Sequence, residues 1–195
     1  MNRTQYEQLI SSRESTFANQ LEQGYQIDDD DIIALLDNAV WAPTHGLSQC
    51  WEFIVFAGDG VRQFYEKQQH IYKEITHTDK FRQEKYDGYL GKIRKVSHVI
   101  AVIARRDPKK RFPVLEDIVS TACALENIYL GLKPFGISGY LSTGDICYSG
   151  QMREYLKLNE EDECLGFFIL GKAKVDMPAK LRKRIPAKEK TTWVR

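Results

Sequence analysis

The sequence predicts a helix-rich α+β fold, and three observations carry that expectation. Short runs rich in apolar and β-branched residues stand far apart, at 51–57, 96–104, 139–143 and 164–171. Longer stretches between them space their apolar residues helically, most clearly at 114–133. Strands and helices do not alternate strictly, so a Rossmann-type parallel sheet is not expected. With 195 residues, no repeat and no Gly/Ser linker, one domain over 1–195 is expected, ending in an arm at 172–195.

Residues 4–12 read as a first helix, with Thr4 and Glu7 at capping-box spacing and Tyr6, Leu9 and Ile10 on one face. The acidic run Asp28–Asp31 suits a helix amino terminus. That second helix carries Ile32, Leu35, Leu36 and Val40 before Pro43 stops it. WEFIVFA at 51–57 reads as a strand, and the charged stretch 61–95 as helix-compatible, with Phe64, Tyr65, Tyr72, Phe81, Tyr86 and Tyr89 interspersed. VSHVIAVIA at 96–104 is apolar throughout, as a strand buried on both faces requires. A helix at 114–133 follows, with Leu125, Ile128, Tyr129 and Leu132 on its inner face, then a strand at 139–143, a short helix at 149–157 and a buried strand at 164–171. The basic tail from Lys172 contains Pro178 and Pro186 and reads as extended.

A net charge of +1 gives no long-range field to gather nucleic acid or an anionic membrane, so neither is expected as a partner. The amino terminus lacks the apolar core of a signal peptide, and no stretch approaches the ~20 apolar residues of a membrane helix. Cys50, Cys123, Cys147 and Cys164 are widely spread with no C-x-x-C pair, which suits buried reduced thiols in a cytoplasmic protein rather than a disulfide framework or zinc site. The dinucleotide fingerprint, the P-loop, H-E-x-x-H and the serine nucleophile elbow are all absent. His45, His70, His77 and His98 show no ligand spacing, and His98 reads as a structural histidine inside a strand. No catalytic side chain and no metal site are therefore expected, and a cofactor should carry the chemistry.

Four segments, in order, resemble the nitroreductase family. SRESTF at 12–17 resembles the family's R-R-S-x-R opening; the resemblance places Arg13 and Ser15 at the FMN phosphate and ribityl chain, where a guanidinium fork and a hydroxyl suit the task. Glu14 and Phe17 depart from the usual arginines. AVWAPTHGLSQCWEF at 39–53 is similar to A-x-x-A-P-S-x-x-N-x-Q-P-W-x-F, with Ala39, Ala42, Pro43, Gln49, Trp51 and Phe53 matching and Cys50 replacing a proline. By resemblance this loop crosses a subunit interface, and Trp41, His45 and Gln49 line the partner chain's flavin. TACALENIYLGLKPFGISGYLSTG at 121–144 resembles the family's helix-to-strand block, which puts Leu141, Ser142 and Thr143 at the flavin's pyrimidine edge, with backbone N–H groups facing its N1 and O2. Leu141 replaces an aromatic. ECLGFFILGKAK at 163–174 resembles the late strand, and Arg182 and Arg184 fall where some members supply phosphate ligands.

The resemblance implies a nitroreductase-like fold: a central, mostly antiparallel sheet flanked by helices, in an intertwined homodimer with FMN at the interface. It implies ping-pong hydride transfer from NAD(P)H through flavin N5 to a nitroaromatic, quinone or related small acceptor, with residues 61–95 shaping the acceptor pocket. The alternative is a binding or regulatory module on the same fold that has lost its flavin. Flavin colour in the purified protein separates the two.

Overall fold

A computed structural model describes residues 1–175 and 182–195. Its sheet has four strands, β1 (Trp51–Ala57), β2 (His98–Ala104), β3 (Ser138–Ser142) and β4 (Glu163–Gly171), in the order β1-β2-β4-β3. Every pairing is antiparallel, with Val55 opposite Ile100, Ile100 opposite Phe168, and Phe168 opposite Leu141. Opposite Val102 and Ile103 the register slips past Leu165, and Gly166 takes the positive φ of 146° that the bulge needs.

All of β2 is buried, so its side chains need helices on both faces. Ile100 and Val102, with Phe168 and Leu170, pack against α2 (Asp29–Ala39) and α5 (Val114–Leu132). Val99, Ala101 and Ile103, with Phe167 and Ile169, pack against α3 (Asp59–Ile75), α4 (Gln83–Leu90) and α6 (Gly150–Tyr155). A helix layer therefore covers each side of the sheet.

The elements follow the sequence pattern closely, with informative differences. Helix α1 spans Arg3–Ser12, but its capping box is made by Asn2 and Gln5, two residues earlier than Thr4 and Glu7. It buries no residue, so the face carrying Tyr6 and Ile10 stays uncovered by this chain. Helix α2 ends at Ala39, and Val40 lies outside it. The stretch 61–95 folds as the α3–α4 hairpin; Phe64 and Tyr65 go to the core, while Tyr72 and Tyr89 reach both core and cavity. His98 is structural, as its setting suggested. Ser97 Oγ accepts from the Ile27 N–H at 2.8 Å and lies 2.9 Å from His98 Nδ1, while His98 Nε2 lies 2.9 Å from Asp29 Oδ1. One hydroxyl and one imidazole thus tie the start of α2 to β2.

After β4 the chain runs beside residues 20–22, with the Glu22 N–H donating to Lys172 O and the Lys174 N–H to Gln20 O. Pro178 lies outside the described residues. From Arg182 to Arg195 the arm is exposed and has only one short 3-10 turn, Ala187–Lys190. No helix among the described residues is long and apolar enough to cross a membrane.

Gly139 marks the tightest approach in the sheet: a Cβ there would lie 2.3 Å from the Ile169 carbonyl oxygen. Gly139→Ala must push β3 away from β4, and overpacking of this kind costs about 1–3 kcal/mol. A urea midpoint fallen to match, with an unchanged denaturant slope, is the expected outcome. An unchanged midpoint would contradict the β3–β4 packing.

Candidate functional site

The first half of the candidate site forms where α1 stops. Arg13 leaves the helix with φ −58° and ψ 126°, and the chain then runs along the free edge of β3, where the Thr16 N–H donates to Gly139 O at 2.9 Å. The Arg13 guanidinium carbon sits 4.8 Å from the centre of the Tyr129 ring. Tyr129 Oη accepts the Leu141 N–H at 2.9 Å, and its ring meets Phe168 edge-on at 4.5 Å. Tyr129 therefore connects Arg13 to the end of β3. No carboxylate pairs with the Arg13 guanidinium among the described residues, and it lines a cleft of about 250 Å³ with Thr16, Tyr129 and Gly139. Ser15 is half-buried on the same segment, and Glu14 is exposed.

Leu141 and Ser142 end β3, and Thr143 begins the loop beyond it. The Leu141 N–H is taken by Tyr129, and the open donors lie two residues further on than the sequence suggested. The backbone N–H groups of Thr143, Gly144 and Asp145 make no hydrogen bond with the described residues. Gly144 holds φ at 128°, which no bulky residue adopts without strain. An unpaired guanidinium and a row of unpaired N–H groups on one strand edge form a donor set suited to an anionic group and a heteroaromatic rim.

The second half is the loop from 40 to 50. Trp41 is 86% exposed, and Leu47 is similarly bare. The His45 ring stacks on Phe112 at 3.9 Å, with Nδ1 3.4 Å from Glu116 Oε2. Gln49 is exposed and holds a left-handed φ of 49°, its N–H donating to Thr44 Oγ1 at 3.0 Å. The Gly46 carbonyl accepts from Arg111 Nη1 at 3.0 Å. Cys50 is buried and donates its thiol to Asp117 Oδ1 at 2.7 Å. Asp117, itself buried, also accepts from Arg106 Nη1 at 2.6 Å. A buried ion pair and a thiol thus clamp the loop to the start of α5.

These halves do not meet within one chain. Glu116, beside His45, and Tyr129, beside Arg13, stand thirteen residues apart on α5, roughly 20 Å at the rise of an α-helix. Arg184 lies on the exposed arm and, among the described residues, donates only to the Lys183 carbonyl, at 3.0 Å. Arg182, also on the arm, reaches back to donate to the Arg13 carbonyl. Tyr129, Asp117 and Phe112 were not singled out for the site from the sequence. Each acts across a long sequence separation, and no local spacing announces such a role.

The fold and this arrangement define a class, and comparison with known proteins agrees. The nitroreductase family model matches residues 12–172, so the chain belongs to the nitroreductase family. An Escherichia coli K12 protein, provisionally named NAD(P)H nitroreductase YdjA, is 25% identical over 134 residues, covering 67% of this chain and 69% of that protein. Among solved structures, a nitroreductase-like family protein from Bacillus cereus superposes with a TM-score of 0.79 at 20% identity, covering 100% of this chain and 98% of its own. A nitroreductase with bound FMN from Bacteroides fragilis gives 0.69 at 20% identity, with both chains wholly covered. The antiparallel sheet between two helix layers is thus the nitroreductase-like fold.

The clamp on the loop is testable through its thiol. Burial, and then the Asp117 carboxylate, push Cys50 up to about 11 from its ordinary value of 9.0. The thiolate is the reactive form, so near pH ~8 Cys50 stays protonated and slow to react. Iodoacetamide should therefore label the half-buried Cys123 well before Cys50, as read by peptide mass, with Cys50 catching up only as the pH climbs toward 11. Labelling of Cys50 first would contradict the Cys50–Asp117 contact.

Proposed function

We propose that the chain is an FMN-dependent oxidoreductase that takes electrons from NAD(P)H and delivers them to a nitroaromatic, quinone or related small acceptor. It works as a homodimer with FMN at the subunit interface. Family membership supports the general reaction class, as do the FMN in the Bacteroides fragilis structure and the name of the Escherichia coli relative. The observation that carries the reading for this chain is Arg13. Arg13 is partly buried, has no carboxylate partner among the described residues, and its guanidinium is held on the Tyr129 ring near a strand end with open N–H groups.

When bound, FMN would supply hydride chemistry at N5, with NAD(P)H and the second substrate taking turns in ping-pong order. The residues of this chain bind and orient. Arg13 holds the phosphate with its two-pronged donor, and the Ser15 hydroxyl adds a neutral donor. Ser142, Thr143 and the N–H groups that follow offer hydrogen bonds to the flavin's polar edge, with Leu141 giving apolar contact. Such donors favour the extra negative charge of the reduced ring, and need no acid or base of their own. Trp41, His45 and Gln49 serve the partner's flavin, which explains an indole left bare on one chain and an imidazole roughly 20 Å from Arg13 along α5. Arg184, on the arm, adds positive charge toward the phosphate.

The bare apolar residues support the dimer. Trp41, Leu47, Leu115 and Val119 are all exposed around the start of α5 and its attached loop, and apolar patches of this kind mark protein interfaces. Trp193 and Val194 are bare on the arm, which suits an element that lies on a neighbour.

Arg13→Ala should weaken FMN retention by about one to two decades, the effect of losing a charge-assisted contact of about 1.5–3 kcal/mol. Arg13→Lys should recover only part of the loss, because an ammonium cannot make the bidentate contact. Flavin fluorescence on titration reads both. Unchanged affinity in Arg13→Ala would contradict the assignment of Arg13. A wild-type protein that takes up no FMN from excess flavin would favour the flavin-free binding module.

A further inference from the structure

Between the α3–α4 hairpin and the loop after β3 lies a cavity of about 600 Å³ lined by four Lys and Arg cations, of which only Arg82 has a carboxylate within 4 Å among the described residues. Lys80, Arg82, Lys85 and Lys92 line it, and Asp145, the carboxylate in the same lining, pairs with none of them. Arg82 has only the exposed Glu84 at 3.7 Å. Lys85 Nζ rests 4.8 Å from the centre of the Tyr72 ring, and Lys92 Nζ lies 5.7 and 5.1 Å from the Tyr65 and Tyr89 rings. Both ammonium groups thus sit on aromatic faces in place of carboxylates. Burial, and then the nearby Lys85 charge, hold the Lys92 ammonium below its usual pKa, and an anion beside it would relieve both effects. Gln68 adds a second, independent sign. It is 7% exposed and lines the cavity, yet its amide makes no hydrogen bond with the described residues. Its amide atoms are open to the cavity, where a ligand can meet them.

The opposite wall is Ser142, Thr143 and Gly144, the strand end assigned above to the flavin edge. The cavity therefore opens where electrons would be exchanged, and Tyr72, Tyr89 and Phe167 give it flat apolar walls.

We propose that this cavity selects an electron acceptor carrying a carboxylate or phosphate on a compact aromatic body, with Lys85 and Lys92 binding the anion and Gln68 hydrogen-bonding to it. The proposal rests on the reading of the chain as a flavin oxidoreductase. Depth favours the acceptor over the nucleotide donor. Lys92 is partly buried against two buried tyrosines, so an anion that meets it must ride on a small molecule. A dinucleotide's pyrophosphate, flanked by two riboses, suits the rim cations Lys80 and Arg82 instead.

The experiment compares 4-nitrobenzoate and 4-nitrophenyl phosphate with neutral methyl 4-nitrobenzoate, using the full chain as purified. Calorimetry reads binding, and stopped-flow reoxidation of the reduced flavin reads turnover. At least one anion should bind about tenfold tighter than the ester and reoxidise the flavin correspondingly faster at low concentration, the benefit of a charge-assisted contact. Lys85 is exposed on α4, so Lys85→Met should leave the fold intact and remove most of that preference, while Lys85→Arg should keep it. Equal affinity for anions and ester would overturn the proposal, and so would a preference that survives in Lys85→Met. A Lys85→Met variant slowed only in its reduction by NADH would overturn it too, by assigning the cations to the donor. Calorimetry needs no flavin. A protein without FMN would fail the functional reading alone, and its binding data would still decide whether the cavity is an anion site.

Discussion

Strand β2 has no side chain facing water, so both of its faces must be covered, and the covering helices fix where every site residue can stand. On one face α2 and α5 bury Ile100 and Val102; on the other α3, α4 and α6 bury Val99, Ala101 and Ile103. Helix α5 must run the length of that surface to cover it. In doing so it carries Tyr129 at one end, beneath Arg13, and Glu116 at the other, beside His45. The hairpin on the opposite face closes the cavity with Lys85 and Lys92. Core packing thus sets the distances between groups that the sequence alone could only name.

That spacing has a functional consequence. Two halves of a proposed flavin site stand at opposite ends of one rigid helix, and bending it to join them would tear apart the Ile128 and Leu132 contacts with the sheet. The loop half is itself held firmly. Asp117 takes the Cys50 thiol and the Arg106 guanidinium out of water, and Arg111 fixes the Gly46 carbonyl. A loop this well anchored, with its indole 86% exposed, is preorganised for a surface outside its own chain. In the proposed homodimer a second copy would supply that surface, and symmetry would complete two sites at once.

Much of the architecture could be read from the residues. The buried strands were legible because burial on two faces removes the polar alternation and leaves an apolar run, as in 98–104. His98 was legible because an imidazole inside such a run needs partners, and Ser97 and Asp29 supply them. Strand order was not, since β2 pairs with β4 across 59 to 72 residues and no local signal records it. The capping residue was misplaced because Asn2 and Gln5 satisfy the same spacing two residues earlier than Thr4 and Glu7. Within the site, resemblance pointed to Arg13 and to the 39–53 loop. The residues that orient them, Tyr129 and Asp117, read as ordinary helix positions. Lys85 and Lys92 were hidden in a charged stretch, where a solvated helix face and a cationic cavity wall look alike.

The composite site is tested most directly with heterodimers. One chain would carry Arg13→Ala and the other His45→Ala, each with its own affinity tag, and the mixed dimer would be purified through both tags in turn. If each site takes Arg13 from one protomer and His45 from its partner, the heterodimer holds one site with both halves intact and one with neither. It should then bind one FMN with wild-type affinity and the second far more weakly. Two weakened sites, each showing the defect of the substitution in its own chain and neither at wild-type affinity, would contradict the account.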